Sequence, residues 1–205
     1  EFSENNINFR EKYNIKNQHI ILNISSFFYG KSQIILPDIY DRLGEKLEDF
    51  IIIQISSSVD YSYDTIFLEK CKKKSHGANI RFLRDIPRED VVAALKCSNV
   101  LVLTSLKEVA PLVILESRAA KLPWVSLRVG NINEQSGGIP IDYTEVDSKG
   151  YVVIDNKVIK HFYIAILQLL KLEHLRESVI NEGQENIEQL DWKNIIPLYH
   201  EIFNK

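Results

Sequence analysis

The 205-residue sequence contains no methionine and only two cysteines, Cys71 and Cys97. Two thiols are too few for a disulfide framework or a zinc site, so both read as reduced, with Cys97 buried on a helix. The five histidines (His19, His76, His161, His174 and His200) are scattered and show no metal-ligand spacing. Charge of one sign is also missing. The 25 Lys and Arg against 28 Asp and Glu leave a net charge of -3, which gives no basic field for nucleic acid. No apolar run approaches the roughly 20 residues of a membrane span, and the polar first twenty residues do not form a secretory leader. A cytoplasmic protein is expected, with peripheral membrane contact left open. The missing initiator methionine at Glu1 suggests a piece of a longer chain. We find no internal repeat, low-complexity segment or linker.

What is present is ordinary globular composition, 45% hydrophobic and 26% charged, in a chain long enough for one large domain. Wholly apolar runs alternate with helical stretches. His19–Ile24, Phe50–Ile55, Asn79–Leu83, Asn99–Thr104, Trp124–Leu127 and Gly150–Ile154 read as six strands. Helices are expected up to about Leu47, over Tyr63–Lys74, over Arg88–Cys97 with Pro87 in the first turn, and from Pro111 to about Lys121. From Lys157 to Phe203 the pattern is wholly helical, with Asp191 capping the last helix through the amide of Lys193 or Asn194. Apolar strands spaced by helices predict a doubly wound, Rossmann-like parallel α/β sheet of about six strands with a helical C-terminal extension. We divide the single domain into a leader over 1–18, a core over 19–156 and helices over 157–205.

In such a fold, ligands bind at the carboxyl ends of the strands, which directs attention to the loops Ser25–Ser32, Ser56–Ser62, Arg84–Pro87, Ser105–Pro111 and Arg128–Gly138. In Ser105–Pro111, a strand delivers Glu108 just before a helix whose first amides, on Leu112, Val113 and Ile114, are free for an anion such as a diphosphate. Glu116 follows one turn later. Two carboxylates at a helix start also suit the helix dipole without any ligand. Beside a phosphate site they make sense as hydroxyl binders, one for a sugar and one for a ribose. Arg88, Glu89 and Asp90 read as decoration of another helix start, and Lys72–Lys74 as a solvated face.

The stretch Val100–Glu134, with Ser105, Glu108, Glu116, Ala119, Ala120, Leu122-Pro123, Val129-Gly130 and Glu134 in order, resembles the central segment of family 4 glycosyltransferases. Phe9–Ile15 resembles the leader before that domain's first strand, Phe82–Leu95 its Phe-Leu-Gly-x-Val-Pro-x-Glu-Asp segment, and Asp191-Trp192 the start of its closing helix. The resemblance implies the C-terminal, donor-binding half of a two-domain GT-B enzyme that transfers a hexose-type sugar with retention. Its donor would be a UDP- or GDP-sugar and its acceptor a glycan, lipid or protein. The N-terminal acceptor domain would lie outside this sequence, and no metal or other cofactor is implied. It further implies that Glu108 contacts the transferred sugar near the reacting carbon and that Glu116 binds the ribose. Lys31, with Ser26, Ala110, Pro111, Leu112, Val113, Arg84 and Ile86, would complete the donor site.

Several residues depart from the family's pattern. Ser25 and Ser26 replace a Gly-Arg pair, Ser56–Ser58 a Gly-x-Gly turn, and Arg84 a glycine, while Val109, Ala110 and Pro111 replace Gly-Phe-Gly. Serine cannot supply the charged planar fork of arginine, and proline removes an amide donor. These changes motivate a second reading, a non-catalytic binding or partner module on the same fold. A third, a sugar-nucleotide epimerase, would need catalytic carboxylates and histidines other than those in view. The loop Gly130–Gly138 either closes over the donor or only supplies turns.

Overall fold

The computed structural model describes residues 2, 4–57 and 61–204, without the side chains of 61–64. One six-stranded sheet forms the centre: β1 (His19–Ile24), β2 (Phe50–Ser56), β3 (Ile80–Arg84), β4 (Val100–Leu103), β5 (Trp124–Leu127) and β6 (Gly138–Ile141). All neighbours pair in parallel, in the order β3-β2-β1-β4-β5-β6. Every strand therefore ends on the same edge. Strand order reverses between β1 and β4, the switch point at which doubly wound sheets bind ligands.

The helices are α1 (Phe9–Lys12), α2 (Leu36–Gly44), α3 (Tyr61–Lys74), α4 (Arg88–Cys97), α5 (Leu112–Ala119), α6 (Asn156–Lys171), α7 (Glu173–Gln184) and α8 (Trp192–Phe203). Alternate strand residues feed two cores, as the two-residue period of a strand requires. Ile21, Ile52, Val102 and Val125 pack with Leu36, Ile39, Phe162 and Ile166 of α2 and α6. On the other face Ile20, Leu22, Ile53 and Trp124 pack with Phe9, Ala94 and Ile114 of α1, α4 and α5. Both faces of the central strands are covered, which is why β1, β2, β4 and β5 are mostly apolar.

The sixth strand departs from expectation. Gly150–Ile154 is β-branched and apolar, yet it forms only an isolated antiparallel bridge, Val146 to Val152. It follows Ile141 too closely for the crossover that a parallel strand needs. Instead, the Asp147 carboxylate accepts from the amides of Lys149 and Tyr151 and turns the chain back on itself. The true edge strand begins at Gly138 and contains Pro140, both poor strand signals. Gly138 lies opposite Trp124, where an added Cβ would fall 2.0 Å from the indole, so only glycine fits.

Smaller corrections concern helix ends and burial. The region after Lys157 is helical but interrupted, with a 3₁₀ turn at Ile187–Leu190. The Asp191 side chain caps α8 through the Lys193 amide, as expected. Cys97 is half-buried, while Cys71 is fully buried. Burial pushes the Cys71 thiol up to about 12 and that of Cys97 to about 11. Lys72 and Lys74 pair with Glu69 and Asp38 on an exposed helix face. Among the described residues no helix is long and apolar enough to cross a membrane.

Candidate functional site

The loop after β1 is set from below by a buried polar network. Asn23 and Gln54 stand opposite each other on β1 and β2, buried polar residues inside two mostly apolar strands. Buried amides need partners, and here the amide nitrogens find them in and beside the loop, while the Gln33 and Gln54 oxygens accept no bond among the described residues. Asn23 donates to the Val102 carbonyl at 2.7 Å and accepts from the Ser25 hydroxyl at 3.0 Å. Gln54 donates to the Ser25 carbonyl at 2.9 Å, and buried Gln33 donates to the Ser26 carbonyl at 2.6 Å. The loop is then tied to the end of β4: the Leu106 amide donates to the Gly30 carbonyl, and the Thr104 hydroxyl to that of Lys31. Ser32, at φ 51°, makes the left-handed turn that follows Lys31.

These ties bring Lys31 to Glu108. Their side chains form an ion pair of 2.5 Å across the β1–β4 switch point, with Glu108 only 13% exposed. The Glu108 loop is held from the other side by Gly130. At φ +58°, its Cα lies so close that a Cβ would sit 2.5 Å from the Val109 carbonyl and 2.7 Å from that of Glu108. The Asn131 amide donates to the Val109 carbonyl, and the Val152 amide to that of Leu106. The turn at 130–134 thus braces the loop from the side. Gly137 packs on Gly183, and Gly138 on Trp124, so these two glycines serve packing.

The helix starts differ from expectation. Pro111 and Pro87 stand at the N-cap, outside the first turn, with ψ values of 109° and 147°. An N-cap residue takes extended backbone angles, and proline has no side chain with which to cap. The Ile114 amide is therefore used, donating to the Pro111 carbonyl at 3.1 Å. Leu112 and Val113 are the first-turn positions whose amides no helical carbonyl can reach. Val109 and Ala110 are exposed beside them.

Arg88, which sequence reasoning left as decoration, belongs to the site. Its Nη2 lies 2.6 Å from Glu116 Oε1, joining the start of α4 to the second turn of α5. No local pattern announced this pair, because only the topology sets the two helices side by side. Asp90 is likewise more than decoration. It is fully buried and accepts from Lys12 Nζ and from the Tyr13 hydroxyl at 2.6 Å, clasping the leader onto α4. Burial alone would raise the Asp90 pKa, but the hydrogen bonds from Lys12 and Tyr13 outweigh it and hold it below the usual value.

The remaining expected residues lie around these two pairs. Arg84 ends β3 beside Asp85, and Ile86 packs against the α1–α4–α5 core. Ser26 is half-buried in the first loop, where it offers a hydroxyl and no charge. Of the Ser56–Ser58 turn, Ser56 is buried and Ser58 lies outside the described residues. Among the described residues no group of three or more His, Cys, Asp or Glu is placed to hold a metal. The edge therefore carries two acid–base pairs, 108 with 31 and 116 with 88, flanking a helix start with unspent amides. Such a surface can exchange cations toward an anionic ligand and carboxylates toward hydroxyls.

Residues 5–186 match the family model of the glycosyl transferases group 1. The chain belongs to that family. Among solved structures this group 1 domain is similar to a GtfA/B complex, at TM-score 0.73 and 13% identity over 92% of this chain and 36% of that one. It is also similar to WaaG, a glycosyltransferase involved in lipopolysaccharide biosynthesis, at TM-score 0.68 and 19% identity over 93% of this chain and 50% of the other. A sucrose-phosphate synthase from Thermosynechococcus elongatus gives TM-score 0.70 and 17% identity over 96% and 48%. At such identities the likeness is one of fold, and the group 1 domain spans half or less of each of these structures. No curated protein matches it in sequence.

Proposed function

We propose that this chain is the donor-binding half of a retaining, family 4 glycosyltransferase, completed by an N-terminal acceptor half. The donor is a UDP- or GDP-linked hexose and the acceptor a hydroxyl of a glycan, lipid or protein. The observation that carries the reading is the Lys31–Glu108 pair at the switch point. A nucleoside diphosphate needs cations for its phosphates and acceptors for its hydroxyls, and the two pairs hold both in balance. On binding, Lys31 turns to the diphosphate with the amides of Leu112 and Val113, Glu108 accepts from sugar hydroxyls, and Glu116 accepts from the ribose. Transfer breaks the bond from the anomeric carbon to the β-phosphate oxygen and forms one to the acceptor oxygen. The acceptor proton leaves with the diphosphate. Preorganised donors facing that departing charge are worth about 3–4 kcal/mol each in a dry site.

The test is a transfer assay in the full-length protein, with the product's anomeric configuration read by NMR. Glu108→Gln is expected to lower turnover by about a hundredfold or more. An inverted product, or undiminished turnover in Glu108→Gln, contradicts the reading. One observation favours a second reading, a binding module without turnover: Ser26 presents no cation, and its carbonyl is already taken by Gln33. Sugar transfer by the full-length protein would remove it.

A further inference from the structure

The loop after β1 carries three aromatic residues in a row, Phe27, Phe28 and Tyr29. Phe27 is buried, but Phe28 and Tyr29 are 52% and 62% exposed. Hydrogen bonds fix their surroundings. The Leu106 amide donates to the Gly30 carbonyl at 2.8 Å, and the Val152 amide to the Leu106 carbonyl at 3.1 Å. Three segments are thereby laced together, and Tyr29, Lys107 and Tyr151, the chain neighbours of the bonded residues, meet on one surface. The Tyr29 and Tyr151 rings stand edge to face at 6.2 Å, and Lys107 Nζ lies 5.8 Å from the centre of the Tyr151 ring. The rings of Phe28 and Tyr151 close over Gly30, where an added Cβ would fall 2.9 and 3.1 Å from them. The patch adjoins the Lys31–Glu108 pair, since Tyr29 is two residues from Lys31 and Lys107 is next to Glu108. Exposed rings of this kind, rimmed by polar groups, mark a ligand or partner site.

We infer that this aromatic patch is a platform for a pyranose ring of the acceptor, which stacks on Tyr29 and meets Lys107 at its polar edge. The inference rests on the donor reading above and narrows its acceptor to a sugar. Tyr151 packs against the α2–α6 core, whereas α5 belongs to the core on the opposite face of the sheet. Along the loop at 105–111, Glu108 stands between Lys107 and the start of α5. A ring held on the patch therefore adjoins the transferred sugar without competing for the Leu112 and Val113 amides. A pyranose has the required chemistry: one face of C–H groups that packs on an aromatic ring, and edge hydroxyls for the phenols and the ammonium. An acyl chain would strip water from those polar groups and give them no partner.

The test uses the full-length protein, with the methyl glycosides of glucose, galactose, mannose and N-acetylglucosamine as probes. Saturation-transfer difference NMR reads which sugar protons approach the protein, and calorimetry follows UDP and GDP in parallel. At least one glycoside should bind, with saturation concentrated on the C–H face of its ring. Tyr29→Ala should weaken that binding about threefold to tenfold, the scale of one aromatic stacking contact. Tyr29→Phe, which keeps the ring, should retain most of it, and nucleotide affinity should be unchanged in both variants. The melting temperature should not move, because Tyr29 is exposed. Nucleotide binding without binding of any glycoside, or equal glycoside affinity in Tyr29→Ala, overturns the inference while leaving the donor reading standing. A melting temperature lowered by Tyr29→Ala with glycoside binding intact assigns the patch to a contact with the other half of the enzyme, and also overturns it. No binding of any nucleotide at millimolar concentration overturns both.

Discussion

The two corners of the site hold the same chemistry in different settings. Lys31 and Glu108 meet over the switch point on loops pinned by Asn23, Gln33, Gln54, Thr104 and the Gly130 turn. Arg88 and Glu116 meet between two helix starts, are more exposed, and open on a cavity. The first corner has its geometry imposed by the fold, as the proposed place of Glu108 beside the transferred sugar demands. The second is a more exposed pair, joining the starts of two helices. Dense bracing thus follows the strand ends and exposure follows the helix starts.

The largest effect on this contrast is expected at Gly130. Alanine there adds a Cβ against two carbonyls at a positive φ, which should cost about 2–4 kcal/mol and displace Glu108. Thermal melting and donor affinity read the two consequences. Stability within about 1 kcal/mol of wild type would mean that the turn yields, and that the first corner is less fixed than described.

A smaller effect concerns the clasp behind the second corner. Asp90→Ala leaves the Lys12 ammonium and the Tyr13 hydroxyl without their acceptor and should cost about 1–3 kcal/mol. The pH dependence follows in sign. Asp90 titrates below its ordinary value when folded, so its contribution is present above about pH 4 and lost on acidification below that. Tyr13 is pushed up to about 12, first by burial and then by Asp90, so its contribution holds below about pH 10 and is lost as pH rises toward 12. Denaturant unfolding of wild type and Asp90→Ala across both ranges checks this, and parallel profiles would exclude the clasp. The smallest effect is at Arg88. Arg88→Ala breaks a half-exposed pair and should change stability by no more than about 1 kcal/mol. A larger loss would make the second corner structural.

The sequence exposes these corners unequally. Runs such as HIILNI and FIIIQI give β1 and β2, because strands buried on both faces must be apolar throughout. Their interior polar residues, Asn23 and Gln54, are a readable signal of the network under the first loop. Glu108 and Glu116 stand out through their spacing at a helix start, and Lys31 through the family resemblance. Arg88 does not, because its pairing depends on α4 and α5 lying side by side. The edge strand hides for a related reason: Gly138 and Pro140 suit the Trp124 contact and an edge position and suppress the strand signal. Pro111 marks the right helix start but occupies the cap, which leaves the Leu112 and Val113 amides open and commits that of Ile114.

For the proposed donor to bind, the paired charges must open for a nucleoside diphosphate. Calorimetric titration of UDP and GDP into the wild-type chain and into Lys31→Ala tests this most directly. The prediction is saturable binding of at least one nucleotide, weakened about tenfold or more by Lys31→Ala, the scale of a lost charge-assisted contact to phosphate. Absence of binding to either nucleotide at millimolar concentration, or equal affinity in Lys31→Ala, would contradict it.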